Sequence, residues 1–333
     1  MKKNIAVIAG GNSSEFPVSI RSAGQIAGEL DPDKYNVYKI IVKGTDWTLE
    51  EDETGQIPVD KNDFSCDTSE GKLKFDCALI TIHGTPGEDG KLQGYFESLD
   101  IPYTTSGILA SSLTFNKKAT KLFLNQFGIL SPASVYLNKG ESFETETIIY
   151  KLGLPVFVKP NQSGSSFGIT KVNNANLLKK AINHAFEEDD EIIIEEFIEG
   201  TEVTCGLLKT ASKEVILPLC EILSKNEFFD YEAKYTPSKA DEIIPARIPQ
   251  DKTKECQTLA LYIYSVVGCR GIVRIDFILS GEKFYFLEIN TIPGMSAESI
   301  VPKMAREYGI NLKELFTLVI EDAFTRHQKG TVS

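Results

Sequence analysis

Residues 268–299 read GCRGIVRIDFILSGEKFYFLEINTIPGMSAES. Two β-rich runs, 271–279 and 283–290, flank a Ser-Gly-Glu turn at 280–282, the pattern of a β-hairpin. Side chains alternate faces along a strand, so Arg274 and Asp276 project together, as do Glu288 and Asn290. A turn that pairs residues of like parity brings both sets to one side. One cation, two carboxylates and an amide then meet on a mostly apolar ribbon. Burying a single polar group of this kind without a partner costs about 2–7 kcal/mol, so something must compensate. Two arrangements do so: an ion pair of Arg274 with Asp276 or Glu288, or a bound hard cation. Oxygen ligands without His or Cys suit magnesium carrying nucleotide phosphates.

The composition is consistent with a ligand of that kind held by local groups. A chain of 333 residues exceeds one ordinary core and implies two or three domains. Its 42% apolar and 25% charged content is that of a soluble globular protein. A net charge of −12 with no basic block argues against nucleic acid or a membrane surface as partner. No apolar run approaches the roughly 18 residues of a membrane span. The opening MKKNIAVIAGGNSSE has too short an apolar run for a signal peptide. Cys66, Cys77, Cys205, Cys220, Cys256 and Cys269 are scattered, without a C-x-x-C, and read as reduced core thiols of a cytoplasmic protein.

Upstream, the strand KNIAVIA (3–9) runs into GGNSSE and a helical pattern from Val18 to Leu30, the start of an open α/β sheet. No third glycine follows Gly10 and Gly11 at dinucleotide-fingerprint spacing. Strands at 35–42 and 76–82 follow, the second opening into HGTPGEDG (83–90) and a helix at 91–99. Ligands of open sheets lie beyond the carboxyl ends of strands, so loops 10–16 and 83–90 should line one crevice, with Glu15 at a helix N-terminus. His83, Glu88 and Asp89 are read equally well as turn and capping chemistry. A boundary is expected near 105–115, then a helix over 116–127, a strand at 133–137 and a helix at 144–152. The strand 155–159 enters KPNQSGSSFG (159–168), a Gly/Ser loop between strands without the G-K-[ST] of a P-loop. Such a loop can fold its N–H groups over phosphates with Lys159 as point charge. Strand 191–198, paired strands 202–210 and 213–222, and a polar excursion at 224–247 come next. That excursion is long for a connector and has the length of an active-site lid. After Pro293-Gly294 a helix starts near Ser299, directing free N–H groups at an anion.

Taken together, GGNSSE, HGTPGEDG, KPNQSGSSFG, EAKY, RIDF and LEINTIPGM resemble, in order and spacing, the bacterial D-alanine–D-alanine ligases of the ATP-grasp superfamily. The resemblance implies a Rossmann-like α/β domain (1–112), then a two-part ATP-grasp fold of α+β subdomains at 113–203 and 204–333. It implies ATP-dependent joining of two D-alanines through a D-alanyl phosphate for peptidoglycan precursors, in the cytoplasm, by a homodimer. Asp276, Glu288 and Asn290 match the ligands of two magnesium (or manganese) ions. Lys117 and Lys159 match phosphate-binding lysines, with Ser166 and Lys234 also at the ATP. Glu195, Phe197, Ile198 and Glu202 match the cradle of adenine and ribose. Arg274 and the Gly294 N–H match the oxyanion site, and Ser299 with Ile300 the carboxylate site of the second substrate. Glu15, Ser165 and Tyr235 match a hydrogen-bonded trio, Glu15 and His83 serving the first alanine. Departures include Phe16-Pro17 after Glu15, Ser163 and Phe167 in the Gly/Ser loop, and Phe197 for a common Trp. EAKY favours D-alanine over D-lactate as second substrate; an ester-forming or other ATP-grasp ligase is the alternative.

Overall fold

The computed structural model describes residues 1–13, 15–51, 55–162, 168–210, 213–224 and 240–330. Three sheets succeed one another along the chain. In the first, β1 (Lys3–Gly10) lies between parallel neighbours β2 (Tyr35–Lys43) and β7 (Cys77–Ile80). β1 is apolar on both faces because both are covered, as parallel strands require. Ile5, Val7 and Ala9 pack toward α1 (Phe16–Glu29), whereas Ala6 and Ile8 join the aromatic core around Phe64 and Phe96. Helix α1 begins two residues before Val18; Pro17 is accommodated because the first turn's N–H groups have no helical partner. Four strands that the sequence reading did not anticipate, β3 (Asp46–Glu51), β4 (Gly55–Asp60), β5 (Ser65–Thr68) and β6 (Gly71–Lys74), extend this sheet as an antiparallel meander.

The stretch 105–115, read as a boundary, contains helix α3 (Ile108–Phe115), after α2 (Lys91–Ser98) and before α4 (Lys117–Asn125). The second sheet orders β10 (Thr170–Val172), β9 (Val156–Pro160), β11 (Glu191–Glu196) and β8 (Ser134–Asn138). Its Val156, Val158, Ile192 and Ile194 pack with α5 (Thr145–Leu152) and α6 (Leu178–Ala185). By alternation, Phe157, Lys159 and Glu195 occupy the other face.

The third sheet is built on β12 (Thr201–Lys209), flanked by β14 (Cys220–Ser224) and the hairpin of β16 (Ile272–Ser280) with β17 (Lys283–Asn290). The strand expected over 213–222 is split: β13 (Glu214–Ile216) and β14 pair with different parts of β12, and Pro218, which has no N–H to donate, stands in the break. A further strand, β15 (Ala240–Ile243), lies inside the stretch read as a lid; residues 225–239 of that stretch are outside the described residues. Helix α7 (Gln250–Val267) covers one face of this sheet. The last helices, α8 (Ile300–Tyr308) and α9 (Leu312–Gly330), share one core with β1, α1 and the outer residues Leu208, Val215 and Leu217 of the third sheet. That shared core brings the ends of the first sheet's strands to the hairpin. No described helix is long and apolar enough to cross a membrane.

Candidate active site

The hairpin turn is one residue shorter than read from the sequence: Ser280 pairs with Lys283 around Gly281-Glu282. Continued without interruption, that register would set Asp276 opposite Leu287 and send Glu288 to the other face. A β-bulge after Asp276 removes Leu287 from the ladder. Asp276 therefore faces Glu288 and Arg274 faces Asn290, while Ile275–Ile289 and Phe277–Phe286 keep the core side. Opposite them on β12, Thr204 aligns with Asp276, and Glu202 lies two residues along on the same side.

The internal ion pair anticipated as one option is formed. Arg274 donates from Nε to Asp276 Oδ1 at 2.9 Å and from a terminal nitrogen to Oδ2 at 2.8 Å; Glu288 stands 3.8 Å from the guanidinium. Thr204 Oγ1 donates to Asp276 Oδ1 as well. Burial works against the Arg274 charge, but Asp276, Glu288 and Glu202 outweigh it and hold the guanidinium above its ordinary range. Asn290 Oδ1 accepts from the Ile292 N–H at 3.1 Å.

Loops 10–16 and 83–90 meet, as expected from the strand ends. Gly10 has φ +99°, and a Cβ there would lie 2.3 Å from the Val42 carbonyl, so only glycine turns the chain out of β1. Ser19 Oγ then links strands and helix, accepting from Gly10 N and donating to Thr81 O. Ser13 Oγ donates to the His83 carbonyl, and Asn12 N to that of Thr85. Glu15, His83 and Glu88 are all buried. Burial, opposed by the Glu15 carboxylate, lowers His83 and leaves a neutral imidazole that also feels Arg274. Glu88 accepts from Gly84 N at 2.7 Å and is pushed up to about 8 by burial, then by Glu15. Two neighbouring acids thus reach the hairpin's field from the first sheet.

The raised acid makes stability pH-dependent. Glu88 takes up its proton on folding between its ordinary 4.5 and about 8, so the folded state loses stability as pH rises through that window. Glu88→Gln is expected to flatten this slope, with little change at pH 5 and a gain on the order of 1 kcal/mol or more at pH 8. Urea denaturation at the two pH values measures the difference.

On the second sheet, Lys159 and Lys121 both pair with Glu195, one on each carboxylate oxygen. Lys121 was not singled out from the sequence, because a lysine on an amphipathic helix ordinarily faces water. Lys117 begins α4, whose cap Asn116 accepts from Ala119 N at 2.8 Å; the Asn161 carbonyl receives the Lys117 N–H. Phe197 and Ile198 lie just beyond β11, with the Phe197 ring 6.0 Å from Phe157 and the Lys171 ammonium 4.4 Å above it. Ser299 occupies the N-cap position of α8 without a side-chain capping bond, and Ile300 opens the helix. A Cβ on Gly294 would lie 2.9 Å from Ser299 Oγ, which is 2.7 Å from Ser296 Oγ. Ser165, Ser166, Lys234 and Tyr235 lie outside the described residues.

Among the described residues no three His, Cys, Asp or Glu converge. Two carboxylates and an amide suit magnesium, which completes its shell with phosphate oxygens and water instead of an all-protein cage.

The chain matches known proteins along nearly its whole length. The family model described as D-ala D-ala ligase N-terminus matches residues 4–106, and that of the C-terminus matches 121–321. A D-alanine--D-alanine ligase of Bacteroides fragilis is 47% identical over 97% of this chain and 100% of its own length. One from Parabacteroides distasonis is 48% identical, covering 97% and 98%. Among solved structures, VanG D-Ala:D-Ser ligase from Enterococcus faecalis superposes with TM-score 0.83 at 33% identity, covering 97% of this chain and 100% of that one. The ligase of Bacillus anthracis complexed with ATP gives 0.79 at 30% identity, covering 98% and 99%. With both family models matched in order and relatives aligned along nearly the whole sequence, the chain belongs to the D-alanine–D-alanine ligase family of ATP-grasp enzymes.

Proposed function

We propose that this protein joins two D-alanine molecules, with ATP cleaved to ADP and phosphate, to supply peptidoglycan precursors. The observation that carries the reading is the bulged hairpin, which aligns Asp276 with Glu288 and Arg274 with Asn290 beside Glu202. Two ions held by Asp276, Glu288 and Asn290 would neutralise charge on the transferring phosphoryl group. A carboxylate is a poor electrophile, so the first D-alanine is activated as an acyl phosphate before the second amine attacks. Glu15 and His83 hold the first alanine, and Lys117 and Lys159 its phosphate donor. Glu195, Phe197, Ile198 and Glu202 line the nucleoside pocket, with Ser166 and Lys234 completing the ATP site. Arg274 and the Gly294 N–H receive the oxyanion of the tetrahedral species, and Ser299 with Ile300 the second carboxylate. Ser165 and Tyr235 form the route by which the attacking amine loses its proton. The three units are 1–112, 113–203 and 204–333, working as a cytoplasmic homodimer.

Phosphate release should require D-alanine and magnesium together; release with L-alanine and none with D-alanine would end this reading. A D-Ala:D-Ser ligase among the structural neighbours makes D-serine the competitor to test beside D-lactate. D-alanyl-D-alanine should dominate an equimolar competition near neutral pH, and a mixed product in excess would move the assignment. Gly294→Ala should raise KM for the second D-alanine by about tenfold, because the added methyl displaces Ser299 Oγ. Initial rates against D-alanine concentration measure it.

A further inference from the structure

Lys121 is an unusual lysine. Its side chain is 4% exposed, and Nζ donates to the Pro132 carbonyl at 2.8 Å, to Ser134 Oγ at 2.6 Å and to Glu195 Oε1. An ammonium has three protons, and all three are used, so none remains for a ligand. Glu195 differs. Each of its oxygens receives one lysine, Lys121 on Oε1 and Lys159 on Oε2, and each retains a second lone pair. Burial opposes its charge, but the two ammonium groups prevail and hold the carboxyl below its usual range, so it stays ionised. The three charges sit on the sheet face away from the α5–α6 core, with Phe157 and Phe197. Lys121 also follows Lys117 by four residues on α4, so one helix face carries both.

Stability alone does not call for this arrangement, since apolar side chains of similar volume commonly serve a core as well as a buried ion pair. We propose that Lys121 is a positioning residue of the nucleotide pocket, fixing Glu195 so that its remaining lone pairs meet the 6-amino group of adenine while Lys159 stays aimed at phosphate. This inference rests on the ATP-site reading above. A 6-oxo purine would set an acceptor against that carboxylate and leave a buried polar group unmatched, which such a site rejects. Without Lys121, Glu195 holds Lys159 in an exclusive pair and turns toward it, so both base selection and phosphate contact weaken.

The test titrates ATP and inosine triphosphate, each with magnesium, into the full-length protein as wild type, Lys121→Met and Lys121→Met/Glu195→Gln. A wild type that binds no ATP would bring down the ATP-site reading itself, separately from the role of Lys121. Given binding, Lys121→Met should weaken ATP at least about tenfold, narrow the ATP-to-inosine-triphosphate preference, and leave KM for D-alanine unchanged. A merely structural lysine would instead lower the melting temperature and shift all substrates alike. The double variant also removes the charge of the carboxylate that Lys121 held and should fold while still failing to discriminate the two bases. Wild-type discrimination in either variant would overturn the proposal, and failure of both to fold would make Lys121 a scaffold residue and overturn it equally.

Discussion

Arg274→Ala is expected to lower the rate of dipeptide formation by about 10²–10³-fold, the effect of removing one oxyanion donor, while ATP still binds. The guanidinium is fixed before any substrate arrives: three hydrogen bonds tie it to Asp276, and Glu288 lies 3.8 Å away. A donor already oriented need not reorganise as negative charge develops beside it. Its removal does more than delete a cation, since Asp276 and Glu288 then face one another across the strands without the guanidinium that both now approach. Magnesium should therefore bind at least as tightly to the variant. Equilibrium titration of ATP with magnesium, alongside product formation, separates these consequences. An active variant would remove Arg274 from the reaction, and one that no longer bound nucleotide would make it a structural strut.

Glu195→Ala should cost about 3–5 kcal/mol of stability, the scale for leaving a buried charge without its partner. The Lys121 side chain is 4% exposed and that of Lys159 13%, so both ammonium groups are poorly solvated once the carboxylate is gone. Lys121 would keep Pro132 O and Ser134 Oγ but face a second uncompensated cation. Glu195→Gln, which retains an acceptor oxygen, should be less damaging. Urea denaturation at constant salt gives both differences; a loss below about 1 kcal/mol for alanine would show that the triad relaxes into solvent.

Much of the fold could be read because apolar periodicity marked it. β1, β2 and β7 are continuous or near-continuous hydrophobic runs, and α7 and the final hairpin announce themselves in the same way. The meander of β3 to β6 escaped notice because GKLK and SCDT are only four residues long, GKLK is mostly exposed, and SCDT buries Ser65 and Cys66 in succession without alternation. Helix α3, ILASSLTF, has no side-chain cap at its start and three hydroxyl residues within, so it resembled a linker. Strand β15, ADEI, is too short and acidic to stand out from the polar stretch around it.

At the site, residue types carried more information than geometry. Arg274, Asp276, Glu288 and Asn290 were recognisable as a group because such residues interrupt an apolar ribbon. Thr204 and Lys121 were not, since nothing in their local sequence distinguishes a hydroxyl or ammonium aimed at a carboxylate from one in solvent. Both are found only through partners more than 70 residues away in the chain.

Leu287 has no partner in the ladder, yet its surplus position in the ribbon decides which way its neighbours look. The consequence concerns counting more than chemistry. Remove one residue between Gly281 and Glu288 and the two strands can still zip together, but a phenylalanine or a carboxylate must change sides. Along this segment, family members should therefore tolerate a changed letter far better than a lost one.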